Sequence, residues 1–110
     1  MSNAGNGLEH RWGERVRVNI PVRVQANQMT EANGCMHNLS LSGALMQSDS
    51  DLRLNTLIEV SIAMPAPSAR TVVIRAHVSR KLEQGFGIEW YEFAPNIIRD
   101  LLRFALRRPH

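Results

Sequence analysis

Between residues 16 and 24 the chain alternates without a break. Val16, Val18, Ile20, Val22 and Val24 hold the even positions, and Arg17, Asn19, Pro21 and Arg23 the odd ones between them. An apolar period of two is what a strand with one buried face requires; on a helix the same residues would scatter around the axis. The period returns at residues 58–64 (Ile58, Val60, Ile62, Met64), 72–78 (Val72, Ile74, Ala76, Val78) and 86–90 (Phe86, Ile88, Trp90). A further apolar run over residues 35–46 is broken by Ser40, Ser42 and Gly43, which predicts two short strands or one strand bent around a tight turn. Short strands with turn chemistry between them point to an antiparallel barrel or sandwich rather than a parallel sheet, and closure into a barrel would remove exposed edges. Asn33-Gly34 is a turn signal ahead of the second run, and Pro65-Ala66-Pro67-Ser68 breaks the pattern after the third. Pro21, on the outward parity, marks an edge, a bulge or an unpaired position.

The period changes once. After Pro95, suited to the first turn of a helix, Ile97, Ile98, Leu101, Leu102, Ala105 and Leu106 recur at spacings of three and four, with Arg99, Asp100, Arg103 and Arg107 elsewhere. One amphipathic helix is expected there, its apolar face covering an open end of the barrel. At 110 residues, 44% hydrophobic and 21% charged, the chain has the composition of one ordinary globular domain able to bury its own core. A single cysteine, Cys35, cannot close an internal disulfide, and no apolar stretch approaches the roughly 20 residues of a membrane span. A cytoplasmic location is the expectation. Residues 1–8 are expected to be a disordered tail, in which Ser2-Asn3-Ala4 has the look of a cloning scar.

Twelve of the thirteen basic residues are arginine, the planar donor that grips phosphates and guanine edges with two hydrogen bonds at once. Charge is +2 over residues 1–25, −2 over 26–94 and +3 over 95–110. With aromatic residues at only 5%, a compact anionic ligand fits this distribution better than a long polyanion with stacked bases. Two short patterns stand out. Arg11-Trp12-Gly13-Glu14-Arg15 places two arginines four apart just before the first strand, where both can converge on one anion or purine. In a chain this rich in arginine such a pair arises easily, and Arg99, Arg103 and Arg107 repeat the spacing on a solvated helix face. Asn38-Leu39-Ser40-Leu41-Ser42-Gly43 is more selective: its Asn-x-Ser-x-x-Gly core offers an amide, a hydroxyl and a glycine that lets backbone approach closely. The same residues could equally form a strand bend that satisfies its own backbone.

With these patterns in this order, the chain resembles the PilZ domains, bacterial receptors for the second messenger cyclic di-GMP. The family pattern runs R-x-x-x-R, a strand of the type V-x-x-x-x-P-V, then [D/N]-x-S-x-x-G, and late in the chain a G-x-G-I-like strand. Here these are Arg11 to Arg15, Val16 to Pro21-Val22, Asn38 to Gly43, and Gly85-Phe86-Gly87-Ile88. The resemblance implies a mainly β fold, a six-stranded antiparallel β-barrel with a C-terminal α-helix. It divides the chain into a ligand-clamping arm at residues 9–16, a barrel at 16–91 and a helix at 95–108. It also implies a non-enzymatic receptor that binds cyclic di-GMP between the arm and the barrel surface and signals through a protein partner. Ligand contacts would come from Arg11, Arg15, Asn38, Ser40 and Gly43, with His10 and Arg80 as further candidates. Asn38 stands where the family commonly has Asp and lacks a carboxylate's charge assistance. His10 stands where many members have Arg, which leaves one or two bound ligands open. Arg80 continues the inward parity of Val72 to Val78 at a strand end.

Other chemistry finds little support. Asp49-Ser50-Asp51 has carboxylate spacing without a partner cluster, and His10, His37, His77 and His110 show no ligand spacing with Cys35, so no metal or other cofactor is expected. Ser40 has no activating base in sight, which argues against an enzyme. Two readings compete with the receptor: a PilZ-fold scaffold without useful nucleotide affinity, as in pilus or flagellar assembly, and a small RNA-binding barrel. The second is disfavoured by the absence of exposed aromatic platforms in the strands.

Overall fold

The alternating segments all become strands. A computed structural model of the chain describes residues 15–27, 31–64, 69–92 and 95–107. They form β1 (Val16–Ala26), β2 (Ala32–Leu39), β3 (Gly43–Ser48), β4 (Leu57–Ala63), β5 (Thr71–Leu82), β6 (Gly85–Trp90) and one helix, α1 (Asn96–Arg107). Every neighbouring pair is antiparallel, and the order β1-β2-β3-β6-β5-β4 closes on itself through β4 and β1. The expected six-stranded barrel with a C-terminal helix is the fold.

Parity decides what fills it. Val22, Val24 and Ala26 of β1, Ile58, Val60 and Ile62 of β4, Ile74, Ala76 and Val78 of β5 and the side chains of Met36, Leu39, Ala44, Met46, Phe86, Ile88 and Trp90 make one buried core. Met36, Leu39, Val60, Ile62 and Val78 are fully excluded from solvent. α1 adds Ile98, Leu101 and Leu102 to that core and packs against β1, whose first half, Val16, Val18 and Ile20, is only partly buried. The Pro95 carbonyl accepts from the amides of Ile98 and Arg99, both at 3.0 Å, so proline opens the helix where its missing N–H costs nothing.

Pro21 sits opposite Cys35 on β2, and the pairing of β1 with β4 begins only at Val22–Ile62. Its absent donor therefore falls where no β4 residue is paired to it, in keeping with the sequence expectation. The turn signal at Asn33-Gly34 behaves differently. Both residues lie inside β2, paired with Arg23 and Val22, and the chain reverses earlier, around Asn27, whose φ of 42° is one that asparagine tolerates. Gly34 is needed for another reason: a Cβ there would stand 2.9 Å from the Gln47 carbonyl oxygen of β3. Residues 65–68, the other sequence-predicted break, lie outside the described residues, but Met64 N–H to Arg70 O at 2.8 Å closes the β4–β5 hairpin around them.

Candidate functional site

Three of the ladders slip by one residue. The irregularities fall between Arg17 and Ile20 on β1, between Met36 and Asn38 on β2, and between Val78 and Arg80 on β5. A bulge changes which face the following residues present. On β2 it leaves His37 without a counterpart on β3 and turns Asn38 to the outer face, opposite Leu45, while Leu39 returns to the core opposite Ala44. On β5 it turns Arg80 outward, opposite Gly87. The parity argument that put Arg80 in line with Val72 to Val78 is thus corrected: Val78 is buried, but Arg80, two residues on, is exposed.

The outward residues meet in one row. Arg17 pairs with Asn38, Asn38 with Leu45, Leu45 with Gly87 and Gly87 with Arg80, so the row crosses β1, β2, β3, β6 and β5 in turn. At strand spacing it covers roughly 19 Å of curved outer wall. Arg15 stands at the entrance to β1, two residues before Arg17 and on the same outward parity. Its guanidinium is held below the usual arginine pKa, first by partial burial and then by the positive charge of Arg80. The positive charge of Arg80 thus reaches Arg15 across the wall. No described acidic residue forms an ion pair with Arg15, Arg17 or Arg80; Glu89, next to Ile88 on β6, lies 3.5 Å from His77. Among the described residues the wall is a basic surface without a counterion, with one amide and one aliphatic side chain in its middle.

The Asn-x-Ser-x-x-Gly segment forms the β2–β3 turn beside this row. Ser40 is 1% exposed. Its Oγ accepts from the amides of Ser42 at 3.3 Å and Gly43 at 3.2 Å, and donates to the Gly43 carbonyl at 3.2 Å. The indole N–H of Trp90 donates to the Ser40 carbonyl at 3.1 Å, tying the turn to β6. A Cβ on Gly43 would come within 1.9 Å of the Ile88 carbonyl oxygen, so glycine is what lets β3 and β6 approach. Of the sequence-predicted site residues the structure thus brings Arg15, Asn38 and Arg80 onto one surface and places Ser40 and Gly43 in the turn behind it. His10 and Arg11 lie outside the described residues. Sequence reasoning missed Arg17 and Leu45. Arg17 carried a usable signal, the same outward parity as Arg15; Leu45 carried none, since only the register sets it between Asn38 and Gly87.

Clefts lined by described residues lie away from the row. An open one of about 720 Å³ at a barrel end is lined by Asp49, Asp51 and Glu83, and Lys81 there is already paired with Asp51 at 2.9 Å, a poor setting for an anion. Among the described residues no three His, Cys, Asp or Glu side chains cluster as metal ligands would.

Residues 9–107 match the family model for the PilZ domain. The chain belongs to the PilZ family. The crystal structure of the PilZ domain of CeSA from a cellulose-synthesizing bacterium superimposes with a TM-score of 0.63, covering 84% of this chain and 95% of that one. At 17% identity this likeness concerns the fold. No curated protein matches the chain. PilZ domains are binding modules for cyclic di-GMP rather than catalysts. No described helix of this PilZ domain is long and apolar enough to cross a membrane.

Proposed function

We propose that this PilZ domain is a cytoplasmic cyclic di-GMP receptor that takes the ligand on the outer wall of β1, β2, β3, β6 and β5 and signals through a protein partner. The observation that carries the reading is the outward row of Arg17, Asn38, Leu45, Gly87 and Arg80, two guanidiniums and an amide on one wall without an ion pair to any described acid, with Arg15 at its edge within reach of the Arg80 charge. An anion placed on this wall gains charge-assisted hydrogen bonds from guanidiniums that no described acid engages. Asn38 is positioned to exchange hydrogen bonds with a purine edge, and Leu45 beside it offers an apolar surface for a base. Arg11, with His10 before it, completes the clamp from the N-terminal arm. Ser40 and Gly43 serve the site by shaping the turn that holds Asn38 and β3 in register. Ordering of the arm over the ligand supplies the change that a partner reads, since a ligand shifts conformations only by its unequal affinity for them.

The test is thermal unfolding with and without cyclic di-GMP, with GMP and cyclic AMP as controls. At about 100 times the dissociation constant the native state gains about 2.7 kcal/mol, and the midpoint rises by roughly ten degrees. Arg15→Ala removes that rise while the ligand-free midpoint stays near wild type. No selective rise at saturating ligand transfers the protein to the scaffold reading.

A further inference from the structure

Four described glycines would each crowd a neighbour if given a side chain, and in three the obstacle is backbone. A Cβ on Gly34 meets the Gln47 carbonyl at 2.9 Å, on Gly43 that of Ile88 at 1.9 Å, and on Gly85 that of Met46 at 2.1 Å. Those glycines let strands close on one another. Gly87 is different. Its Cβ would meet only side chains: Arg80 Cγ at 3.1 Å, Arg80 Nε at 3.2 Å and Leu45 Cδ2 at 3.4 Å. Gly87 belongs to the outward side of β6 and is nevertheless buried, because the arginine lies across it. The missing methyl is thus a bed for one guanidinium, and the sheet itself does not require it.

The β5 bulge points the same way. Without the extra residue after Val78, Arg80 would not face Gly87 at all. Two local departures from regular sheet, a bulge on β5 and a glycine on β6, serve to lay one cationic side chain flat on the barrel. Partial burial and the charge of Arg80 lower the tendency of Arg15 to hold a proton, so the free protein gains nothing from this arrangement.

We infer that Gly87 is a positioning residue, which seats Arg80 so that its guanidinium is presented on the outer wall to an anionic group of the ligand. The inference rests on the receptor reading for the identity of that ligand, but the two fail separately. A methyl at residue 87 leaves the fold intact, since a side chain yields where a carbonyl cannot, and moves the guanidinium off its place.

A double-mutant cycle on the full chain tests this, with cyclic di-GMP affinity measured by calorimetry and the Nε–Hε resonance of Arg80 followed by NMR. Arg80→Ala is expected to weaken binding about ten- to hundredfold, and Arg80→Lys does not restore it. Gly87→Ala weakens binding about tenfold in the parent, adds nothing in the Arg80→Ala background, and leaves the thermal midpoint within about 3 °C. Wild-type affinity in either single variant overturns the inference, as does an equal loss from Gly87→Ala with and without Arg80. If the parent does not bind cyclic di-GMP, the receptor reading falls and inorganic pyrophosphate becomes the probe. A shift of the Arg80 resonance with pyrophosphate that Gly87→Ala abolishes sustains the positioning role; no shift in the parent overturns it.

Discussion

Ser40 and Gly43 show how one short pattern can hold a turn behind a candidate site. The Ser40 hydroxyl satisfies the buried amide of Gly43 and the half-buried amide of Ser42, so Ser40→Ala leaves a buried donor unpaired and is expected to cost about 1–3 kcal/mol in urea unfolding. Gly43→Ala forces a methyl into the Ile88 carbonyl and should cost about 3 kcal/mol or more, in contrast to the mild effect expected at Gly87. Arg80 is the reverse case. Replacing it by glutamine removes the charge that opposes Arg15, so Arg80→Gln should raise the stability of the ligand-free protein, by about 0.5 kcal/mol or less for so exposed a pair, while weakening ligand binding. Asn38 and Arg80 also mark the limit of residue-level sequence reading. Simple alternation puts Asn38 on the same face as Met36, and Arg80 on that of Val78; a single slipped residue in each strand reverses both.

At the scale of elements, strands and helix could be named from periodicity because burial on one face leaves a period in the sequence, two for β1, β4, β5 and β6 and three to four for α1. Turns were less legible. Asn33-Gly34 has the chemistry of a tight turn, yet the pairing of β2 with both β1 and β3 holds those residues extended, so tertiary hydrogen bonding overrides local preference. α1 buries Ile98, Leu101 and Leu102 in the core, and Ile98→Ala, at a fully buried position, should destabilise by about 2–5 kcal/mol. The loop after β3 is pinned by Lys81, which reaches the Asp51 carboxylate and the Leu52 carbonyl. The hydrogen bond from Lys81, then its charge, holds the Asp51 pKa below the usual carboxylate value. Such a group adds stability above its unfolded pKa, near 4, and loses it as the pH falls through the lower native value. The stability difference between wild type and Asp51→Asn, measured by urea titration, should therefore be present at pH 6 and shrink once the pH drops below about 4.

On the scale of the whole molecule, closure joins β1 to β4, β3 to β6 and β4 to β5, and only some of these pairs are neighbours in sequence. Non-local pairing must pay loop-closure entropy before it is rewarded, so refolding followed by stopped-flow fluorescence of Trp90 should fall in milliseconds to seconds rather than microseconds. The same closure builds the candidate site. Arg17, Asn38 and Arg80 come from three strands and join one row only because β3 and β6 lie between β2 and β5. What the amino-acid sequence determined by itself was the repertoire: strands, helix, core residues, an arginine-rich composition and the motifs that resemble the family's, all properties of residue type and spacing. Which outward residues share a surface was decided by the tertiary structure, because register and bulges arise from pairing between distant strands and leave no period in either strand alone. The row from Arg17 through Asn38, Leu45 and Gly87 to Arg80 exists only after the barrel has closed.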